Sequence, residues 1–154
     1  MWHHAGLTAI IVGMNVEATC VFCRIVTGTE PAKIVYKDPD SIAFFPLAPA
    51  AEGHTLVVPR VHARTLYDIT PASAGALFVA STNVARMLNR ALHPDGMTMF
   101  QTNEHAGWQS VFHVHLHLVP RWEDDDLREP WIVEQPDDRD LDSLRLRIIS
   151  VGSE

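Results

Sequence analysis

The segment VFHVHLHLVP, residues 111–120, sets three histidines on alternate positions, His113, His115 and His117, with Val114, Leu116 and Leu118 interleaved. On an extended chain successive side chains point to opposite faces, so one face carries three imidazoles and the other only aliphatic groups. Two kinds of chemistry use such a row. His-x-His on a strand offers two ligands to a metal ion. Neutral imidazole is also a nucleophile near its ordinary pKa of about 6.5 and a good leaving group, so one histidine can act covalently while its neighbours carry protons. The spacing leaves both readings open.

Cys20 and Cys23, the only cysteines, form a Cys-x-x-Cys. That spacing suits a metal half-site or a redox pair better than a disulfide framework, and no thioredoxin-like pattern surrounds it. Two thiolates do not close a tetrahedral zinc shell, which needs four ligands.

These residues need a scaffold. The 154 residues are enough for one hydrophobic core and one domain. Hydrophobic residues at 47% and charged residues at 20% fit a folded, water-exposed domain and exclude disorder. A net charge of −7 gives no footprint for a nucleic-acid polymer, so a phosphate ligand must be held locally by backbone N–H groups and a few side chains. The apolar run Leu7–Val12 is too short for a membrane span and has no basic residue before it. Residues 1–18 read as an extension, with Met14 an alternative start, and the cytoplasm is the default location.

AKIVYKD (32–38) and SIAFFPL (41–47) read as strands split by the turn Asp38-Pro39-Asp40. GHTLVVPR (53–60) is a third strand. Thr70 caps a long helix with Pro71 at its first position, and Ala74, Leu77, Phe78, Ser81, Val84, Ala85 and Leu88 recur at helical spacing. MTMFQT (97–102) and FHVHLHLVP (112–120) are two further strands. Leu141, Leu144, Ile148 and Val151 fit a short terminal helix better than a strand. Strands gathered around one long helix predict an α+β fold with a largely antiparallel sheet.

HVHLHLV resembles the His-φ-His-φ-His-φ-φ signature, φ being apolar, of the histidine triad (HIT) superfamily of nucleotide hydrolases and transferases. CVFCRIVTGTEPAKIVYKD, GHTLVVPRVH and GWQSVFHVHLHLVPR resemble the corresponding blocks in the same order, across residues 19–121. The resemblance implies a HIT-like fold: a five-stranded antiparallel sheet, one long helix and a short N-terminal helix, dimerising into a ten-stranded sheet. Beyond it, residues 122–154 are expected to pack on the domain or across a homodimer, the assembly that the resemblance implies. His115 would attack a nucleotide's α-phosphorus and form a transient nucleotidyl-imidazole, its Nδ1 proton held by a backbone carbonyl of the same strand. His117 would contact the transferring phosphate and assist departure, and His54 is similar to a fourth histidine facing the triad. Asn103, Gln109 and Ser110 match a phosphate-binding segment, although Trp108 interrupts its usual Gly-Gln pair. Structural zinc bound by Cys20, Cys23, His62 and His113 is implied by similarity to prokaryotic members.

One departure concerns the substrate. Members that grip a nucleoside usually have an acidic residue after the second strand's aromatic, and here that position is Pro46, which offers no side-chain acceptor. Phe44 and Leu47 remain to sandwich a base. The resulting expectation is a hydrolase of phosphoramidate or phosphoanhydride bonds beside a nucleoside monophosphate. Its rivals are a dinucleoside polyphosphate hydrolase, a nucleotide-binding member with vestigial catalysis, and a zinc hydrolase using all three triad histidines as ligands. His3, His4, His93 and His105 read as surface or loop residues.

Overall fold

The structure, a computed structural model, describes residues 17–128 and 137–152. The run at 7–12, Met14, His3 and His4 lie outside the described residues. Asp38 builds the first turn, its Oδ1 accepting from the backbone N–H groups of Asp40 at 2.9 Å and Ser41 at 2.6 Å. Such an Asx turn lets the chain reverse without a glycine. It joins β1 (Ile34–Lys37) to β2 (Ser41–Phe44), and β3 (Thr55–Pro59) pairs with β2. Gly53 leads into β3 at φ +73°, a conformation strained for residues with a Cβ, and a side chain there would also have to displace the end of Leu92.

The long helix α2 (Pro71–Leu92) starts as expected, with Thr70 Oγ1 accepting from Ser73 N at 3.2 Å and Pro71 in the first turn. It ends at His93 in the left-handed conformation. β4 (Gly96–Gln101) and β5 (Leu116–Arg121) complete an antiparallel sheet of order β1-β2-β3-β5-β4. With α1 (Val21–Thr27) and α3 (Asp138–Val151), the architecture is the expected α+β.

β2 and β3 are buried along their whole length because both sheet faces are covered. Ala43 and Val57 meet Leu77, Ala80, Val84 and Leu88 of α2 on one face. The alternate residues Ile42, Phe44, Leu56 and Val58 meet Phe22 and Ile25 of α1 on the other. Each such large side chain, fully buried, stabilises the fold by about 1.5–3 kcal/mol. Phe78, expected in this core, is instead exposed, and Ala80 takes its place. At about 100° per residue the buried Ala80, Val84, Leu77, Leu88 and Ser81 fill a stripe roughly 100° wide, and Phe78 lies about 60° beyond its edge.

The strand expected over 112–120 is shorter than predicted, beginning at Leu116. Before it the chain leaves the ladder: the His113 N–H bonds Val111 O at 2.9 Å and the Val114 N–H bonds Ala63 O at 2.7 Å. These bonds pin the segment to the chain following β3. His113 is thereby carried into the interior instead of lying on the sheet face of His117. The terminal helix exists, capped by the Asp137 side chain on Arg139 N at 2.8 Å, but none of its residues is buried against the described chain.

Candidate active site and metal centre

α1, the chain after β3 and the segment before β5 bring four ligand-type side chains together. Cys20 and Cys23 lie one turn apart at the start of α1, a spacing that puts both sulfurs on one side. His113 Nδ1 is 3.4 Å from Cys20 Sγ and 3.5 Å from Cys23 Sγ, and His62 Nδ1 is 3.3 Å from Cys23 Sγ. All four ligand atoms lie within 4.8 Å of one another. A tetrahedral zinc with its usual bond lengths needs sulfur-to-nitrogen edges of roughly 3.5 Å, so the donor set fits.

The outer atoms of both imidazoles are also committed. His113 Nε2 donates to Pro59 O at 3.0 Å, and His62 Nε2 lies 2.9 Å from the Glu17 carboxylate. A partner on Nε2 fixes the proton there and turns the Nδ1 lone pair toward the sulfurs, as ligating histidines require. Burial pushes the His113 pKa down to about 4 and the Cys23 thiol up to about 11. Desolvation disfavours charge on either group until a cation compensates it. Glu17 was not expected here; it stands three residues before Cys20, and nothing in its sequence context signals the contact.

A separate cavity of about 790 Å³ opens on the α1 face of the sheet, and His115, His117 and His54 all line it, with Ser110, Phe44, Pro46 and Leu47. His115 Nδ1 donates to His113 O at 2.6 Å, a backbone-carbonyl contact of the kind the family resemblance implies, although both residues precede β5 here, so its Nε2 holds the lone pair. Ala50 N–H donates to His54 Nδ1 at 3.0 Å, and His54 Nε2 is 3.0 Å from His117 Nδ1. An accepting Nδ1 requires the His54 proton on Nε2. That proton makes His117 Nδ1 an acceptor in turn and leaves the His117 proton on Nε2.

Burial lowers the pKa of His54, His115 and His117, the last to about 3, with the neighbouring histidines adding to the effect on His54 and His117. The three rings are therefore neutral at pH 7. Phe100 completes the arrangement by stacking on His117, ring centroids 4.2 Å apart and planes 8° from parallel. It lies on β4 directly opposite His117 in the ladder. The sequence had not marked Phe100, since only the strand register reveals the contact.

The loop from 102 to 112 departs from expectation in two side chains. Gln109 is buried and fully used: Oε1 accepts from Glu104 N at 2.8 Å, and Nε2 donates to Arg64 O at 2.7 Å and Val111 O at 3.1 Å. Asn103 bonds Leu66 N and the Gln101 side chain. Both therefore fasten the loop rather than face the cavity, whereas Ser110 reaches it. Two non-glycine residues of this loop have positive φ, Glu104 at 59° and Trp108 at 68°, conformations costly for residues with a Cβ. Arg64 holds Glu104 there through two bonds of 2.9 and 2.7 Å and lies 3.9 Å over the Phe112 ring. Phe44 is buried in the cavity wall, while Leu47 is fully exposed at its rim. His105 is also exposed.

The HIT-domain family model matches residues 27–124. The chain belongs to the HIT family. Protein hit of Bacillus subtilis is 35% identical over 71% of this chain and 75% of its own length. Adenosine 5'-monophosphoramidase HNT1 of Saccharomyces cerevisiae is 30% identical over 88% of this chain and 84% of its own. Adenylylsulfatase HINT3 of Arabidopsis thaliana is 31% identical over 72% of this chain and 56% of its own. Among solved structures, a Streptococcus mutans protein superimposes with a TM-score of 0.86 at 33% identity, covering 99% of this chain and all of that one. A zinc-bound histidine triad protein of Mycobacterium smegmatis gives 0.68 at 34% identity, covering 88% and 96%. This HIT domain thus combines the family sheet with a four-ligand cluster able to bind a metal. Among the described residues no helix is long and apolar enough to cross a membrane.

Proposed function

We propose that this HIT protein hydrolyses a phosphoramidate or phosphoanhydride bond next to a nucleoside monophosphate, through a covalent nucleotidyl intermediate on His115. The carrying observation is the 2.6 Å bond from His115 Nδ1 to His113 O, which leaves the Nε2 lone pair available for in-line attack. His117 Nε2–H supplies a donor to the phosphate, His54 orients His117, and Ser110 adds a hydroxyl. Asn103 and Gln109 serve binding through the loop they fasten. Phe44 and Leu47 flank the base, and no carboxylate stands at Pro46 to accept ribose hydroxyls.

Relatives named as an adenosine monophosphoramidase and an adenylylsulfatase support hydrolysis of nucleotides in either bond class. His115→Ala is the test. It should lose more than 90% of turnover, a barrier increase above ~1.4 kcal/mol, while nucleotide binding survives. Mass spectrometry of the wild type mixed with substrate should show one added nucleotidyl group that the variant lacks. Turnover surviving in His115→Ala refutes the nucleophile. Dinucleoside polyphosphates are the alternative substrates. A binding protein with vestigial catalysis, favoured by Pro46, is the second reading, and wild-type protein that binds but never turns over would select it.

Zinc is the metal that the two thiolates and two imidazoles suit, and in a closed four-ligand shell it supplies fold stability with no open position for water. A homodimer is supported by the edge of β4, unpaired among the described residues and with Met99 exposed on it, and by exposed Phe78, Val79 and Met87 on α2. Such an edge needs cover. A mass of one chain by light scattering at micromolar concentration would argue against it.

A further inference from the structure

The chain just after β3 is sewn to the loop ahead of β5. Ala63 O accepts from Val114 N, Arg64 O accepts from Gln109 Nε2 and Leu66 N donates to Asn103 Oδ1, each at 2.7 Å. The Arg64 guanidinium adds a side-chain tie: its Nε and Nη2 reach both Glu104 carboxylate oxygens, at 2.9 and 2.7 Å, and its carbon stands 3.9 Å over the Phe112 ring. Arg64 thus grips the loop on both sides of Ser110. What the grip opposes is at Glu104, whose backbone stands at φ 59° and ψ 172°, a region essentially reserved for glycine and strained for a residue with a Cβ. The closure of the loop depends on that conformation. Glu104 N donates to Gln109 Oε1 at 2.8 Å, and Glu104 O accepts from Gly107 N at 3.1 Å and from Gln109 N at 3.0 Å.

Resting on the reading that Ser110 offers its hydroxyl to the phosphate, we infer that Arg64 is a positioning residue of this site: by clamping Glu104 in a glycine-type conformation it holds the 104–112 loop, and with it Ser110, against the cavity. Were Glu104 to relax, its bonds to Gln109 would turn away. Gln109 Nε2 would then lose its hold on Val111 O, now 3.1 Å away. Ser110 lies between Gln109 and Val111 and lines the cavity together with His115, so its hydroxyl moves with them. Arg64 does not line that cavity; it faces a smaller hollow that shares Ser110 and Val111 with it. Most half-exposed ion pairs contribute little to stability. This one has the two-pronged geometry in which a guanidinium holds a carboxylate best, and it acts on a backbone that otherwise has a less strained alternative.

Residue 104 supplies the test, because alanine and glycine both delete the carboxylate but only alanine keeps the strain. Glu104→Ala and Arg64→Met should each lower kcat by roughly 10- to 100-fold through a misplaced Ser110. KM should change by less than about threefold, since Phe44 and Leu47 hold the base elsewhere. Glu104→Gly should stay within about threefold of wild-type kcat, and Arg64→Met added to it should have no further effect. Amide hydrogen exchange by NMR reads the loop without substrate, with α2 as the folding control. The Gly107 and Gln109 N–H groups should exchange at least about tenfold faster in Glu104→Ala and Arg64→Met, and return toward the wild-type rate in Glu104→Gly. A glycine variant as impaired as the alanine one, or loop exchange unchanged in Arg64→Met, overturns the inference. So does an Arg64→Met loss that is equal in the wild-type and Glu104→Gly backgrounds, since the guanidinium would then be meeting the substrate itself. Turnover that survives His115→Ala defeats the nucleophile reading alone, and the exchange pattern still decides the role of Arg64.

Discussion

Replacing Phe100 with alanine removes the ring stacked on His117, and its effect follows from the geometry. The two rings are 4.2 Å apart and nearly parallel, and His117 also meets His54 and His115. An aromatic pair of this kind is worth about 0.5–1.5 kcal/mol beyond its buried area. Phe100 is 40% exposed, so the stability lost should be on the order of 1–2 kcal/mol, below the 3–5 of a core phenylalanine. If the stack holds the His117 donor in its reacting orientation, losing it raises the barrier by the same 0.5–1.5 kcal/mol and lowers kcat roughly 2- to 13-fold. KM should change little, because Phe100 does not line the cavity. Phe100→Tyr should keep wild-type kcat, while Phe100→Leu, which keeps bulk without a ring, should resemble alanine. Steady-state kinetics on one good substrate, with melting curves as a folding control, decides this. A leucine variant at wild-type kcat, or an alanine variant altered only in KM, refutes positioning by the stack.

Two further outcomes are expected. Cys23→Ser should reduce bound zinc, measured by elemental analysis, from about one per chain to a small fraction and should melt earlier, whereas His115→Ala keeps the metal; zinc loss in His115→Ala would place the metal in the triad. Stability should fall as pH drops from 7 to 5. The unfolded chain's histidines take protons near pH 6.5, while burial holds His117 down to about 3, so across that window the unfolded state binds more protons and stability is lost on acidification. His117 contributes at most about 2 kcal/mol at pH 5 relative to pH 7, and less by what solvent at its part-exposed ring screens, so the fall in Tm should not exceed roughly 4–8 °C from this group. An unchanged Tm would show that the ring is solvated.

The sequence by itself determined much of this protein. Thr70 and Pro71 announce α2, Asp38 announces the first hairpin, and His-x-His-x-His with Cys-x-x-Cys resembles the family while leaving metal binding and covalent catalysis both open. Each is a local signal, because caps, turns and residue spacing act over a few positions. What tertiary structure alone decided is which atom faces which. Cys20 and His113 are 93 residues apart in the chain, and their meeting depends on Val114 bonding Ala63 and pulling the segment before β5 out of the ladder. Phe100 meets His117 only in the observed register of β4 on β5. Gln109, expected from the family resemblance as a ligand contact, spends its amide on Glu104, Arg64 and Val111. The proton positions on His54, His115 and His117 follow from backbone partners at Ala50 and His113. Hydrophobic periodicity reports which side of an element is covered, whereas a tautomer depends on a single acceptor or donor within about 3 Å, which only the folded chain supplies.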